Sequence, residues 1–234
     1  MAGDKNLPST SSESEVDTFL KKVAAAPVVR SAGERGRLIF AMDATASREP
    51  TWDHACHIQA EMFKETAALG GLEIQLVYYR GFGEFQAGSW ASSADALLRT
   101  MTGVRCLAGH TQIGKVLKHA IAETKAKKVD AMVFVGDCLE EDIDQLGQQA
   151  GELGLLGVPC FLFHEGRDEI AARAFQQIAR LTGGAFCRFD AGSPKQLRDL
   201  LSAVAVYAAG GRKALADFSA RTGGVAARLT HQVK

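Results

Sequence analysis

Hydrophobic and polar residues follow one another along this chain in blocks that predict strands and helices in turn. Short apolar runs, typical of buried strands, fall at 37–42, 72–79, 131–135, 158–163 and 185–189. Between them, apolar residues recur every three or four positions, which is the spacing of one helix face. These segments predict helices at 50–69, 93–101, 111–125, 140–153, 167–181 and 195–208. The intervening 81–89 segment predicts a turn and a short strand at an antiparallel edge.

The alternation of strands with helices predicts an α/β fold. Such an order builds βαβ units, and hence a doubly wound, mostly parallel central sheet with helices on both faces, as in Rossmann-like folds. The central strands are apolar throughout, as expected when both faces of a sheet are covered. We place this domain at 32–210 and a helical C-terminal tail at 211–234.

Residues 1–31 form a polar N-terminal extension in which one short amphipathic helix is expected. A capping-box pattern at Ser12 and Glu15 precedes it. Apolar residues then recur with helical spacing at Val16, Phe19, Leu20 and Val23. This stripe is expected to pack on the main domain or to dock on a partner.

Composition narrows the classes of function. The 27 basic and 27 acidic side chains cancel, so no overall field favours nucleic acid or a membrane surface as a partner. No secretory h-region is present, and no apolar stretch approaches the length of a membrane span. The five cysteines form no C-x-x-C pair, which is typical of free thiols in a reducing compartment. We therefore expect a cytoplasmic protein.

Five oxygen-bearing side chains stand where predicted strands end or a helix begins. Asp43, Thr45 and Ser47 follow the 37–42 run, Asp137 follows the 131–135 run, and Thr111 opens a helix. If both runs are parallel strands of one sheet, these segments meet at its carboxyl edge, where open α/β folds build their sites. Carboxylates and hydroxyls are the donors that a hard cation such as Mg²⁺ prefers.

These five residues resemble the metal-ion-dependent adhesion site (MIDAS) of the von Willebrand factor type A (vWA) domain family. The family pattern is Asp-x-Ser-x-Ser, a distant Thr and a distant Asp. The matching positions here are Asp43, Thr45, Ser47, Thr111 and Asp137. Thr45 departs from the pattern but keeps a hydroxyl. The order and spacing of elements resemble the family over about 37–207.

The resemblance implies binding rather than catalysis. In such domains Mg²⁺ or Mn²⁺ is held by the hydroxyls and by carboxylates that often act through water. Since neutral hydroxyls donate little charge, the ion keeps a position open for an acidic residue of another protein. The resemblance therefore implies an adaptor or assembly module that is not an enzyme. A ring-forming ATPase is one partner class that similar intracellular domains have.

Two other interpretations remain open. Each acid or hydroxyl can instead be a cap or turn residue, because these positions favour such side chains. The segment from Gly109 to Lys115 also matches most of a P-loop, which predicts a nucleotide hydrolase using Lys115 and Asp137. Val116 breaks that pattern, because it replaces the Ser or Thr whose hydroxyl holds Mg²⁺.

The surroundings of the site give further expectations. Glu140, Glu141 and Asp142 are expected in the first turn of their own helix, where acids oppose the positive end of the helix dipole. His110 and His164 are expected in surface loops at the edge of the site.

Overall fold

The computed structural model describes residues 35–66, 71–189 and 194–222, together with Thr18. The predicted N-terminal helix lies outside the described residues apart from Thr18, and so does the end of the predicted C-terminal tail.

The six strands of the described residues form one sheet, in the order β3-β2-β1-β4-β5-β6. Their bounds are β1 Gly36–Asp43, β2 Leu72–Arg80, β3 Glu84–Ala91, β4 Ala131–Gly136, β5 Cys160–Glu165 and β6 Ala185–Phe189. Only β3 runs antiparallel, at the edge beside β2, and the other pairs are parallel. The predicted doubly wound α/β fold with an antiparallel edge is confirmed.

Six described helices cover the two faces of this sheet. Their bounds are α1 Glu49–Thr66, α2 Ala94–Thr102, α3 Ile113–Ala126, α4 Ile143–Leu155, α5 Glu169–Leu181 and α6 Pro194–Thr222. Helices α1, α2 and α6 enclose one core, and α3, α4 and α5 enclose the other. Strand β1 serves both cores, because Phe40 and Met42 point into the first while Ile39 and Ala41 point into the second.

The chain changes direction across the sheet between β1 and β4. From β1 it winds outward through β2 to β3, and it then returns to β4 on the other side of β1. Met42 pairs with Val135 in this central register. Asp43 and Asp137 therefore both lie at the carboxyl edge of the switch point, which is the position where open α/β sheets bind ligands.

Several predicted boundaries differ from the observed ones, and those of three elements bear on the site. Strand β5 begins two residues later than predicted, because Pro159 has no N–H to give to a sheet ladder, and it continues through His164 and Glu165. Helix α4 begins at Ile143 rather than Glu140, with the Asp142 carboxylate accepting from the Gln145 N–H at 2.9 Å. Helix α3 begins at Ile113, two residues later than predicted, so Thr111 lies just before the N-cap residue Gln112.

The last helix does not end at 208 as predicted, but bends at Gly211 and continues. Gly211 has φ 72° and ψ −164°, a conformation that favours glycine, and helical structure resumes beyond it to Thr222. Leu215 and Phe218 in this second part are buried in the first core. None of the described helices combines the length and apolar character that crossing a bilayer requires.

Candidate metal centre

The loop after β1 folds back on the last residue of that strand. Asp43 is 1% exposed, and its Oδ1 accepts from the Thr45 N–H at 2.7 Å. A single 3₁₀ turn, Ala46–Arg48, then closes with the Arg48 N–H donating to the Thr45 carbonyl at 2.9 Å. This turn brings the Thr45 and Ser47 hydroxyl oxygens to 3.4 Å from each other.

Asp137 joins this loop from the neighbouring strand. The Ser47 hydroxyl donates to Asp137 Oδ2 at 2.8 Å, although the two residues are 90 positions apart in the chain. The Asp137 carbonyl lies 3.0 Å from His164 Nε2, which holds the end of β4 against β5. The structure thus gathers Asp43, Thr45, Ser47 and Asp137 in one place.

Thr111 lies beside the loop that follows Asp137. Its hydroxyl accepts from the Glu140 N–H at 3.0 Å, and its own N–H donates to Glu140 Oε2 at 2.9 Å. Thr111 is 6% exposed. This reciprocal pair fixes the start of α3 against the β4–α4 loop.

The two carboxylates of this cluster are incompletely satisfied. Asp43 Oδ2 and Asp137 Oδ1 are shielded from solvent and accept no hydrogen bond of good geometry, although the Tyr79 hydroxyl lies near Asp43 and the Cys138 thiol lies near Asp137. Burial raises the pKa of Asp43 to about 6, and the charge of Asp137 adds to the rise, while hydrogen bonds from Thr45 oppose it. Buried acceptors without partners are costly. A divalent cation between them would supply the missing partner, so these residues fit a metal ion.

The P-loop-like segment has different partners from those a nucleotide needs. Its first four residues lie in a loop at 103–112 that follows helix α2 rather than a strand. The Glu141 carboxylate already accepts from the N–H groups of Ile113 and Gly114 at the start of α3. Lys115 Nζ donates to the Gly83 carbonyl at 2.9 Å. A phosphate at this helix start would meet a carboxylate and find its donors used, so the geometry disfavours a nucleotide site.

The same contacts correct one expectation from the sequence. Glu140 and Glu141 were expected to oppose the dipole of their own helix, α4. They instead precede α4 and bind the start of α3, where their charge faces the positive end of a different helix.

Comparisons with known proteins identify the fold. No family model and no curated protein sequence matches this chain. Solved structures do match. A von Willebrand factor type A protein from Catenulispora acidiphila superposes with a TM-score of 0.57 at 14% identity, covering 72% of this chain and 42% of that one. The SpRpn10 VWA domain superposes with a TM-score of 0.56 at 15% identity, covering 72% of this chain and 94% of that one.

This chain has the von Willebrand factor type A fold. A third similar structure, proximal thread matrix protein 1 from the mussel byssus, has a zinc-occupied MIDAS motif. Its TM-score is 0.60 at 16% identity, covering 76% of this chain and 48% of that one. This chain therefore spans less than half the length of the Catenulispora acidiphila and mussel proteins that it matches.

Sequence reasoning missed a buried network of charged side chains beside the cluster of Asp43, Thr45, Ser47 and Asp137. Arg48, 5% exposed, places its Nε 3.4 Å from Asp137 Oδ2, and its Nη1 binds the Glu165 carboxylate. Glu165 also accepts from the Thr51 hydroxyl. Arg48 adjoins Ser47 in sequence, but no local pattern pairs it with a residue 117 positions away.

His164 corrects another expectation. It is fully buried in β5 rather than exposed in a loop, and its ring packs edge-on against Phe175 at 5.6 Å between centroids. Burial lowers its pKa, and the contact with the Asp137 carbonyl opposes that change. His164 thus positions the Asp137 loop from behind.

Sequence reasoning also missed that Cys138 lies beside this cluster. Its sulfur, one oxygen of Asp43 and one oxygen of Asp137 all lie within 4.8 Å of one another. Among the residues that the structure describes, no other group of three His, Cys, Asp or Glu side chains is so arranged. Burial and the charges of Asp137 and Asp43 raise the pKa of Cys138 to about 12 in the metal-free site.

Proposed function

We propose that this vWA domain binds Mg²⁺ or Mn²⁺ and uses the ion to hold an acidic residue of another protein. The proposed ligands are Asp43, Thr45, Ser47, Thr111 and Asp137. The observation that supports this most is the pair of buried carboxylate oxygens without partners, one on each side of the switch point.

The charges of the site support an ion that stays electrophilic. Two carboxylates balance a divalent cation, and the hydroxyls of Thr45 and Ser47 add no charge. Arg48 draws some charge from Asp137, because it lies between that residue and Glu165. An ion so held retains affinity for one more carboxylate, and a Glu or Asp of a partner supplies it.

The rim of the site has the composition of a protein-binding surface. Phe82, on the turn between β2 and β3, is 82% exposed, and its ring lies 5.1 Å from that of His110. Leu107 is 46% exposed, and its N–H donates to the Ala44 carbonyl at 3.0 Å beside Asp43. Exposed aromatic residues next to a polar centre are typical of binding hot spots. A partner that reaches the ion would contact both side chains.

The role we infer is an adaptor or assembly module rather than an enzyme. We place it in the cytoplasm, which the five free cysteines support. A ring-forming ATPase is the partner class that the resemblance to intracellular vWA domains favours, and we would test it first.

Calorimetric titration of Mg²⁺ and Mn²⁺ tests the metal site directly. Asp43→Ala should weaken binding by about 100-fold or more, because it removes a charged ligand. Asp142→Ser is the matched control, because it also removes one negative charge near the site but keeps a helix N-cap on exposed Asp142. Equal affinities of the wild type and Asp43→Ala would contradict the proposal.

Affinity purification from a cell extract tests the protein partner. Proteins that bind the wild type should be lost both with a chelator and with Asp43→Ala, and retained with Asp142→Ser. Phe82→Ser should weaken the same interactions without changing metal affinity. A nucleotide that binds the wild type and not Lys115→Ala would support the hydrolase alternative instead.

A further inference from the structure

We infer that Cys138 is an additional ligand at this site and that its sulfur makes the site prefer zinc-class ions to magnesium. This inference rests on the proposed metal site but changes its order of preference: the same site would still bind Mg²⁺, and would bind a zinc-class ion more tightly. Zinc-class here means Zn²⁺, Co²⁺ and Cd²⁺, which accept thiolate ligands.

The geometry is close to that of a bound ion. Zinc lies about 2.3 Å from a thiolate sulfur and about 2.0–2.2 Å from a carboxylate oxygen, so two such ligand atoms are at most about 4.5 Å apart. The Cys138 sulfur and the oxygens of Asp43 and Asp137 lie within 4.8 Å of one another. In a tetrahedral site a sulfur and an oxygen ligand are about 3.6 Å apart, so side-chain rotations that bring these three atoms closer together would give them a common ion.

A second observation points to a ligand in the same place. Asp43 is 1% exposed, and its Oδ2 has neither solvent nor a hydrogen bond. Asp137 Oδ1 is in the same state. Cys138 is a free, half-buried thiol. The sulfur therefore adjoins two carboxylates that each keep one oxygen without a partner, rather than standing alone on the surface.

Mg²⁺ and zinc-class ions would use different sets of donor atoms at this site. Mg²⁺ takes oxygen ligands and does not recruit thiolates, so it would bind the carboxylates and hydroxyls while Cys138 stays protonated. A zinc-class ion would bind the sulfur as well. Its metal–sulfur bond forms as the S–H bond breaks, and the proton passes to solvent. Zinc uptake should thus release one more proton than magnesium uptake does.

Cobalt spectroscopy of the intact chain provides the first test. Co²⁺ bound to the wild type should show the near-ultraviolet charge-transfer band of a cobalt–thiolate bond. Cys138→Ser should lose this band. Cys56→Ser, which changes another half-buried free thiol on α1, should keep it. Circular dichroism of each variant confirms that the fold is intact.

Competition titrations provide the second test. We expect Cys138→Ser to lower Zn²⁺ affinity by about tenfold or more and Mg²⁺ affinity by less than about twofold, because only zinc uses the sulfur. Titrations in two buffers of different ionisation enthalpy count the protons released.

The outcomes separate this inference from the metal site on which it rests. No band in the wild type, or unchanged Zn²⁺ affinity in Cys138→Ser, overturns the role of Cys138 while Asp43-dependent Mg²⁺ binding leaves the site standing. An equal loss of both ions in Cys138→Ser also overturns the selectivity. If the wild type takes up neither ion, the metal site itself is wrong.

Discussion

The two ends of strand β1 both carry a buried charged side chain, but these side chains differ in how many partners they have. At the amino end, Arg37 is 5% exposed and has several partners, although its Nε makes no hydrogen bond. Its Nη2 lies 3.3 Å from a carboxylate oxygen of Glu123, its Nε lies 3.7 Å from Glu73, and its guanidinium carbon lies 3.8 Å from the centre of the Trp90 ring. Trp90 in turn donates to Glu123 at 3.0 Å, so the whole group is tied together.

At the carboxyl end, Asp43 is more deeply buried and less well satisfied. One oxygen accepts from Thr45, the other has no partner, and burial raises the pKa of the carboxyl to about 6. The same fold therefore largely satisfies a buried charge at one end of a strand and leaves it incomplete at the other. The incomplete end costs stability, which is typical of sites organised for a ligand that is still to come.

Arg37→Met should give the largest loss of stability in this comparison. It leaves Glu73 and Glu123 without their buried cation, which costs about 3 kcal/mol when one partner of such a group is removed. Metal affinity should stay the same, because the site lies roughly 20 Å away along the strand. Urea denaturation and calorimetry measure the two quantities.

Lys125→Met is the control for Arg37→Met. Lys125 pairs with Glu152 at 2.7 Å, but both side chains are about half exposed, so the loss should be under about 0.5 kcal/mol. Equal losses for the two variants would show that Arg37 is no better satisfied than a surface charge.

Asp43→Asn should change metal binding and stability in opposite directions. Metal affinity should fall about 100-fold, since a charged ligand is lost. The metal-free protein should become more stable at pH 7 by about 1–3 kcal/mol, because the pKa rise from 3.8 to about 6 penalises the ionised carboxylate in the folded state.

The pH dependence of that gain follows from the sign of the shift. A raised pKa means that the ionised carboxylate costs stability above about pH 6, and that the cost fades as pH falls from about 6 to 4. The difference between the metal-free wild type and Asp43→Asn should therefore be largest at neutral pH and small at pH 4. A difference that grows towards low pH would contradict the burial of an ionised Asp43.

Arg48→Met tests the carboxyl end of β1, because Arg48 is the only cationic side chain among the described contacts of Asp137. The metal-free protein should lose about 2 kcal/mol, because buried Glu165 loses its ion pair. Metal affinity should rise about threefold to tenfold, since Arg48 no longer competes for Asp137. Thermal unfolding at increasing Mg²⁺ measures both effects, and a lower affinity in Arg48→Met would show that Arg48 instead positions the ligands.

Local patterns in the sequence account for most of the fold and for part of the site. The apolar runs that become β1 and β4 are continuous because each strand faces both cores, so their ends could be located and Asp43 and Asp137 placed at one edge. The short loop after β1 fixes Thr45 and Ser47 in the same way. These features depend on residues close together in the chain or on a simple rule of sheet topology.

The remaining parts of the site depend on contacts between distant segments. Glu165 lies beyond an apolar run and looks like a loop residue until Arg48 and Thr51 are brought against it. Glu141 has the position of a first-turn acid but caps another helix. Cys138 has no motif of its own, and only the parallel register of β1 and β4 sets its sulfur near Asp43. Periodicity reports which face is buried and not which polar groups meet there.

Thr111→Val should have the smallest effect and decides what Thr111 does at the incomplete end. If its hydroxyl is a ligand as proposed, Mg²⁺ affinity should fall about tenfold and Thr111→Ser should restore it, because one hydrogen bond or ligand contact is worth about 1–1.5 kcal/mol. If the hydroxyl serves only the Glu140 N–H that it accepts at 3.0 Å, stability should fall by about 1 kcal/mol while Mg²⁺ affinity stays the same. Calorimetry and urea denaturation of the three proteins separate these results, because serine keeps the hydroxyl and valine keeps the shape.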